Sequence, residues 1–219
     1  MTNKTYGQLC PIARSLDVLG DRWTLLLIRE FLLGPKRFKD LLAILTAMGP
    51  NRLSERLAML VQNGVIQPVT LLTPAATPAY ELTELGERLR TPVLALGFWG
   101  LGLPVDERID PSSARAELIA LCLTGANDPT ASIGLQELYE FQVGPEVFHI
   151  RVSDGSLLAR SGPCTEPVDV KIQCDMDTFI ALVLRHITPT QALREGRAKL
   201  LHGDRPAFTR VFKVLEYKP

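Results

Sequence analysis

The stretch "GPNRLSERLAML", residues 49–60, decides the fold of the first half of this chain. Leu53, Leu57 and Leu60 recur at helical spacing, which makes one face of a short helix apolar and buried. Pro50 suits the first helical position, because the N–H that proline lacks would be unpaired there. The sequence therefore predicts a helix that begins at a Gly-Pro turn and packs by its leucines.

The opposite face of this helix presents Asn51, Arg52 and Glu55. Arginine reads guanine and asparagine reads adenine through paired hydrogen bonds in the DNA major groove. A solvated amphipathic helix carries the same residue types, so the helix alone leaves both interpretations open. The order of the neighbouring elements favours the first.

These neighbours follow one order: helices, a short turn, the helix of residues 50–60, a hairpin and a closing helix. The predicted segments are helices at 10–20, 21–33 and 36–48, strands at 63–72 and 79–83, and a helix over 83–103. Thr83 is a plausible cap of the closing helix, and Pro92 should kink or restart it. The order is that of a winged helix-turn-helix, which places its second helix in the major groove.

Candidate DNA-contacting residues lie on the predicted recognition helix and in "PKRFK" ahead of it. They are Lys36, Arg37, Lys39, Pro50, Asn51, Arg52, Ser54 and Arg56. Asn51 and Arg52 are expected to reach bases, with Ser54 and Arg56 at the flanks of the helix. The three basic residues of "PKRFK" suit phosphate contacts, which set the register and make affinity salt-dependent.

Several motifs follow one another over residues 9–100: "CPIARSLDVLGDRWTLLLIREFLLGPKRFKDLL", "NRLSERLAMLVQNGVI", "YELTELGERL" and "FWG". In this order they resemble the HxlR-type transcriptional regulators. The resemblance implies a DNA-binding homodimer in which segments 10–20 and 84–101 pack across a two-fold axis. A symmetric dimer would read a pseudo-palindromic operator in double-stranded DNA.

Two features depart from that family. Gly49 stands where Ser or Thr often caps the recognition helix, and the wing loop "LLTPAATP" contains neither Lys nor Arg. A wing without positive charge is expected to hold phosphate or the minor groove weakly. Affinity would then depend on the recognition helix and on the basic residues ahead of it.

Cys10 precedes a proline at a predicted helix start. In several regulators of the HxlR type, a cysteine placed in this way senses oxidants or electrophiles, and a thiol at a helix N-terminus is expected to be reactive. The alternative is a small apolar residue that packs in an interface. Both interpretations stay open.

The second half of the chain has a different pattern. A polar segment with two prolines, residues 104–113, predicts the boundary between a domain over 1–103 and a domain over 104–219. Alternating residues predict strands at 138–143, 147–152 and 168–174, with helices at 114–124 and after Asp175. Strands and helices in this mixture indicate an α+β fold.

The segment "VKIQCDMDTFIALVLRHITPTQALREGRAKLLHGDRPAFTRVFKVL" is similar to the end of a sterol-carrier-protein type 2 domain. Over residues 114–217 the resemblance implies a five-stranded sheet with helices on one side, enclosing an apolar tunnel for lipids. The residues expected to line a ligand pocket are Tyr139, Phe141, Phe148, Ile150, Val170, Ile172, Phe179, Leu182, Val183 and Phe212. Alternation cannot distinguish a pocket from a solid core, and a dimerisation platform is a further alternative.

The composition limits the classes of function. Hydrophobic residues make up 46% and charged residues 22%, as in an ordinary globular protein. No apolar run reaches the roughly 18 residues of a membrane span, the four cysteines include no CxxC pair, and a cytoplasmic location is expected. The net charge is zero; residues 1–103 carry 11 Lys/Arg and 8 Asp/Glu, and residues 104–219 carry 13 and 16.

Patterns for catalysis are missing from the sequence. The three histidines lie in separate predicted elements, and neither HExxH, a P-loop, GxSxG nor GxGxxG occurs. The expectation is a non-enzyme without metal or cofactor.

The leading hypothesis is a transcriptional regulator controlled by an apolar small molecule in its second domain. One alternative is a lipid carrier whose helical half serves for dimerisation, and another is a thiol-based redox regulator acting through Cys10.

Overall fold

The computed structural model of the chain describes residues 5–72, 76–104, 107–126 and 129–215. The chain forms two compact units, Met1–Val93 and Leu94–Pro219. This division lies ahead of the predicted boundary, and the domains predicted over 1–103 and 104–219 stay predictions. The predicted α+β class is confirmed, since a helical region with a hairpin is followed by a five-stranded sheet with helices.

The first unit contains the order of elements that the sequence predicts. They are α1 (Pro11–Leu19), α2 (Thr24–Leu32), α3 (Phe38–Ile44), α4 (Pro50–Gln62), β1 (Ile66–Leu71), β2 (Thr77–Leu82) and α5 (Glu84–Glu87). The division between the units falls within the next helix, α6 (Arg90–Leu101).

Helix α2 is the centre of the first unit, as its nearly continuous apolar sequence predicts. Leu27, Ile28, Phe31 and Leu32 are buried. The carboxylate of Glu30 is buried among them, where Arg29 pairs with it at 2.6 Å. The pairing matters because an unpaired charge at this depth would destabilise the fold.

The hairpin places β1 antiparallel to β2, with Ile66 opposite Leu82. Lys36 pairs with the outer side of β2, because its backbone N–H donates to the Tyr80 carbonyl and its carbonyl accepts from the Tyr80 N–H, both at 2.9 Å. The prediction put Pro78 in the loop between the strands, and the structure puts it in β2. Residues 73–75 of that predicted loop lie outside the described residues.

The junction of α5 and α6 confirms two predictions. The Thr83 hydroxyl accepts a hydrogen bond from the Gly86 N–H at 3.1 Å, which caps α5. Pro92 lies in the first turn of α6, so the helix restarts there. Gly86 is required for close packing, because a Cβ at this position would lie 2.1 Å from the carbonyl oxygen of Val65.

The second unit contains one helix, a three-stranded meander and a mixture of helices and strands. Its elements are α7 (Ala116–Thr124), β3 (Gln136–Val143), β4 (Glu146–Ser153), β5 (Ser156–Ser161), β6 (Val170–Cys174), α8 (Met176–Val183), α9 (Pro189–Arg194), β7 (Ala198–His202) and α10 (Arg205–Val214). The strand order is β5-β4-β3-β6-β7, and β3 and β6 are parallel while the other neighbours are antiparallel.

The turn between β4 and β5 and the starts of α8 and α9 are formed by contacts between residues close together in the chain. Asp154 and Gly155 both have positive φ, as a tight two-residue hairpin turn requires. The Asp175 carboxylate caps α8 by accepting from the Thr178 N–H at 2.7 Å. Thr188 and Gln191 form a capping box at the start of α9.

An ion pair joins the central strand of this sheet to α10. Arg210 donates to both carboxylate oxygens of Glu137, and the Tyr139 hydroxyl donates to the same carboxylate. The Arg210 hydrogen bonds hold the pKa of Glu137 below its ordinary value. Sequence reasoning missed this cluster, because Glu137 and Arg210 are 73 positions apart.

The lowered pKa of Glu137 predicts acid destabilisation of the second unit. The carboxylate of Glu137 binds a proton more readily in the unfolded state than in the folded state. The ion pair with Arg210 therefore contributes its full stabilisation above pH 4.5, the ordinary pKa of a glutamate, and this stabilisation is lost as the pH falls below that value. We expect the difference in unfolding free energy between the wild type and Glu137→Gln to shrink from pH 6 to pH 3 in urea titrations. A difference that stays constant with pH would contradict the assignment.

Among the helices in the described parts of the chain, none combines the length and the apolar character needed to cross a bilayer.

Candidate nucleic-acid interface

Helix α4 has the two faces that the sequence predicts. Leu53, Leu57 and Leu60 are buried, while Asn51 and Arg52 are exposed. Val61, which follows Leu60 in the helix, is 37% exposed.

The N-terminal turn of α4 borders an open depression of about 470 Å³. Its lining residues are Ala47, Gly49, Pro50, Asn51, Arg52 and Glu55. No side chain caps the helix at Gly49, in agreement with the missing Ser or Thr in the sequence. The first turn of α4 therefore has N–H groups that no side chain caps, and the two predicted base-reading residues line the depression beside it.

The other side of α4 borders a second depression, of about 430 Å³, next to the hairpin. It is lined by Phe38, Ser54, Leu57, Ala58, Val61, Gln62, Pro68 and Tyr80. Ser54, a predicted flanking contact, is exposed at its rim. This surface carries no formal charge, and the hairpin beside it pairs Gln67 with Glu81 at 2.9 Å. The structure thus gives the neutral wing predicted for the described part of the loop.

The exposed basic residues differ in whether they are already paired. Arg52 and Lys39 are exposed, and neither forms an ion pair with another of the described residues. Arg37 instead donates to both oxygens of Asp40, at 2.6 and 2.9 Å. These hydrogen bonds lower the pKa of Asp40, so this partner stays ionised and competes with phosphate.

Two of the predicted DNA contacts are less available than their residue types suggest. Arg56 points toward Asp21, with 3.9 Å between its Nη1 and Oδ2. Lys36 is only 7% exposed and pairs through its backbone with Tyr80. The phosphate contact predicted for Lys36 does not fit this burial. Sequence spacing could not show it, because the bridge to Tyr80 is a long-range contact.

Large apolar side chains are exposed on α1 and around it. Leu9 and Ile12 are 93% and 71% exposed, and Leu16 is also exposed. On α1 only Ala13 is buried. In the second unit, helix α6 exposes Leu96, Trp99 and Leu101. Such surfaces mark interaction sites more often than ordinary monomer surface.

Cys10 is exposed and free, and it occupies the N-cap position of α1 without a side-chain capping bond. Its exposure within one chain fits both the reactive thiol and a residue that packs in an interface. The predicted sensing role stays a prediction.

The residues predicted to line a lipid pocket are all buried in the second unit. Phe141 stacks on Phe148 with 5.1 Å between ring centroids. Its edge contacts to Phe179 and Phe212 have centroids 5.9 and 6.1 Å apart. Rings at these distances are in contact, so no other molecule fits between them. This packing favours the solid-core alternative around Phe141, and the ligand pocket stays a prediction.

Glu55 is the exposed charged residue of α4 that the candidate set omits. A carboxylate opposes phosphate, so sequence reasoning gave it no role in DNA contact. The structure places it in the same depression as Asn51 and Arg52.

Comparison with known protein families matches the two halves of the chain to two different families. Residues 18–104 match the model of the HxlR-like helix-turn-helix family, and residues 119–216 match that of the SCP-2 sterol transfer family.

The curated relatives resemble the first part of the chain. An uncharacterized HTH-type transcriptional regulator of Mycobacterium tuberculosis is 38% identical over 89 residues, which are 41% of this chain and 56% of that protein. The chain thus spans little more than half the length of this relative. The HTH-type transcriptional regulator YodB of Bacillus subtilis is 33% identical over 92 residues, 42% of this chain and 82% of that protein.

Among solved structures, the reduced form of YodB from B. subtilis is 31% identical, covers 45% of this chain and all of that chain, and superposes with a TM-score of 0.39. The match of residues 18–104 to the family model and the 33% identity to the curated YodB sequence, of which 82% is covered, decide the assignment of the first part. The chain belongs to the HxlR-like helix-turn-helix family, whose named relatives are transcriptional regulators, and carries an SCP-2 sterol transfer family domain after it.

Proposed function

We propose that this protein is a transcriptional regulator that binds double-stranded DNA as a homodimer. Helix α4 of each chain enters the major groove of one half of a pseudo-palindromic operator. The observation that carries the proposal is the exposed pair Asn51 and Arg52 at the start of α4, without an ion-pair partner for Arg52 among the described residues. Side chains in this state can bond to base edges without first breaking a protein contact.

Phosphate contacts would come from few groups. Lys39 is exposed and forms no ion pair with another described residue. Arg37 already forms an ion pair with Asp40, and Lys36 is buried. The hairpin offers no cation on its described residues. We therefore expect weak nonspecific binding, and a salt dependence shallower than that of proteins with many phosphate contacts.

The homodimer is supported by the exposed apolar residues of α1 and α6. A stripe formed by Leu9, Ile12 and Leu16 in one chain would be covered by the matching surface of a second chain. Trp99 on α6 is exposed to 66%, and aromatic residues are enriched in interfaces.

Fluorescence anisotropy with DNA from upstream of the protein's own gene, at two salt concentrations, tests the proposal. We expect binding that survives nonspecific competitor DNA, weakens with salt, and saturates at two chains per duplex. Binding no tighter than to the competitor would contradict it. The surface of α4 would then be a solvated face, and the lipid-carrier alternative would gain.

Control by an apolar small molecule rests on the SCP-2 match, and the ring packing around Phe141 speaks against an open site at that point. The proposal for the second unit is that ligand, if bound, shifts the dimer between arrangements with different operator affinity. Equal affinity for the operator with and without fatty acids and sterols would contradict this ligand-control proposal. A cytoplasmic location stays a prediction.

A further inference from the structure

Glu55 lies in the middle of the exposed face of α4. It is two residues from both Leu53 and Leu57, and two residues on an α-helix correspond to a rotation of about 200°. Because these leucines are buried, Glu55 points in nearly the opposite direction, and the structure shows it exposed. It shares its depression with Asn51 and Arg52.

Glu55 also differs from the other carboxylates of the first unit in having no partner among the described residues. The other seven each accept a hydrogen bond or form an ion pair: Asp17, Asp21, Glu30, Asp40, Glu81, Glu84 and Glu87. Even Arg52, one turn away on the same helix, does not pair with it. The structure thus leaves this carboxylate available to an outside donor.

A free carboxylate on a DNA-facing surface repels phosphate whatever the sequence of the DNA. Such a group lowers affinity for every duplex except one that offers it a donor. In the major groove the donors are the amino groups of cytosine and adenine. Carboxylates accept from cytosine N4, whereas adenine is matched by the donor and acceptor of an amide side chain.

We propose that Glu55 is a specificity-determining residue that accepts a hydrogen bond from the N4 amino group of a cytosine in each operator half-site. This inference rests on the proposed function. Arg52 lies three residues before Glu55 on the helix, so the two side chains reach neighbouring positions in the groove. Arg52 would read a guanine, and the base pair next to it would be C·G with its cytosine toward Glu55. The carboxylate of Glu55 strengthens binding to a site with this C·G pair and weakens binding to other sequences.

The test is selection from a random double-stranded DNA library with full-length wild type, Glu55→Ala and Glu55→Gln, followed by anisotropy on the selected duplex. Glu166→Gln is the matched control, because it removes an exposed carboxylate that lies outside the residues proposed to contact DNA or the partner chain. In the wild type, replacing the C·G pair by T·A should weaken binding about 5- to 150-fold. In Glu55→Ala the same replacement should have nearly no effect.

Two further readouts separate base reading from a structural role. Random-sequence duplex should bind Glu55→Ala about 2- to 5-fold more tightly than the wild type at low salt, since one repulsive charge is gone. Glu55→Gln should shift the preference at this pair toward adenine. A variant that had merely lost structure would bind all DNA more weakly.

The outcomes distinguish this inference from the function on which it rests. If the wild type selects an operator and both Glu55 variants select the same bases at every position, the role of Glu55 is wrong and DNA recognition stands. If the wild type selects no sequence, the proposed function fails, and the inference with it.

Discussion

Replacing Phe141 with alanine is expected to lower the free energy of unfolding of the second unit by about 3–5 kcal/mol. Phe141 is fully buried on the central strand β3, and its ring contacts Phe148 on β4, Phe179 on α8 and Phe212 on α10. Removing it leaves a cavity that three rings border, and the rigid sheet limits how far they can close it. Urea unfolding followed by circular dichroism, with hydrogen exchange of the β3–β6 peptides, measures the loss.

The same experiment decides between a solid core and a pocket at this position. Phe141→Leu should cost less, because it removes less volume, and Leu201→Ala on the exposed side of β7 should cost under about 0.5 kcal/mol. Hydrogen exchange of the α2 peptides, which are buried in the first unit, reports whether that unit is affected. A loss below about 1 kcal/mol for Phe141→Ala would indicate that the ring faces open space, as the tunnel requires.

Replacing Arg52 with alanine is expected to weaken binding to the specific operator by about 1–3 kcal/mol and to relax preference at one base pair. Arg52 is exposed on α4 and unpaired among the described residues, so its removal leaves no buried group without a partner. The loss should therefore appear in operator affinity and not in stability. Anisotropy at two salt concentrations, with a thermal unfolding control, measures both.

Lys39→Ala is the contrasting variant. A phosphate contact carries no sequence information, so its loss should weaken operator and random duplex alike and reduce the salt slope by about one. Arg194→Ala, which removes an exposed arginine of α9 paired with Glu195, should change neither. If Arg52→Ala behaved like Lys39→Ala, Arg52 would be a phosphate contact, and base reading would have to come from other residues of α4.

Local sequence signals predicted most of the elements. The leucine spacing gave α4, Thr83 and Asp175 marked helix starts, and Asp154-Gly155 marked the turn after β4. These features depend on residues within one or two turns of each other, so short stretches of the sequence are enough to predict them. The resemblance of the two halves of the chain to their families likewise rests on short sequence motifs.

Side-chain availability was decided by contacts between distant residues. Lys36 is buried beside its backbone bridge to Tyr80, Arg56 is directed to Asp21, and Glu137 pairs with Arg210, which is 73 positions away. No spacing rule reports such partners, because a cation in the sequence is the same whether it is free or paired. The apolar residues of α1 illustrate the opposite case, since Ile12 and Leu16 have the spacing of a buried helix face but are exposed in the single chain.

The sequence by itself determined the order of helices and strands, the exposed face of α4 with Asn51 and Arg52, and the neutral wing. Only the tertiary structure decided which charges remain available on that face, and that the rings around Phe141 touch. The physical reason is that periodicity fixes the direction of a side chain relative to its own element. Whether that direction meets solvent, a partner or another ring depends on elements brought together by folding.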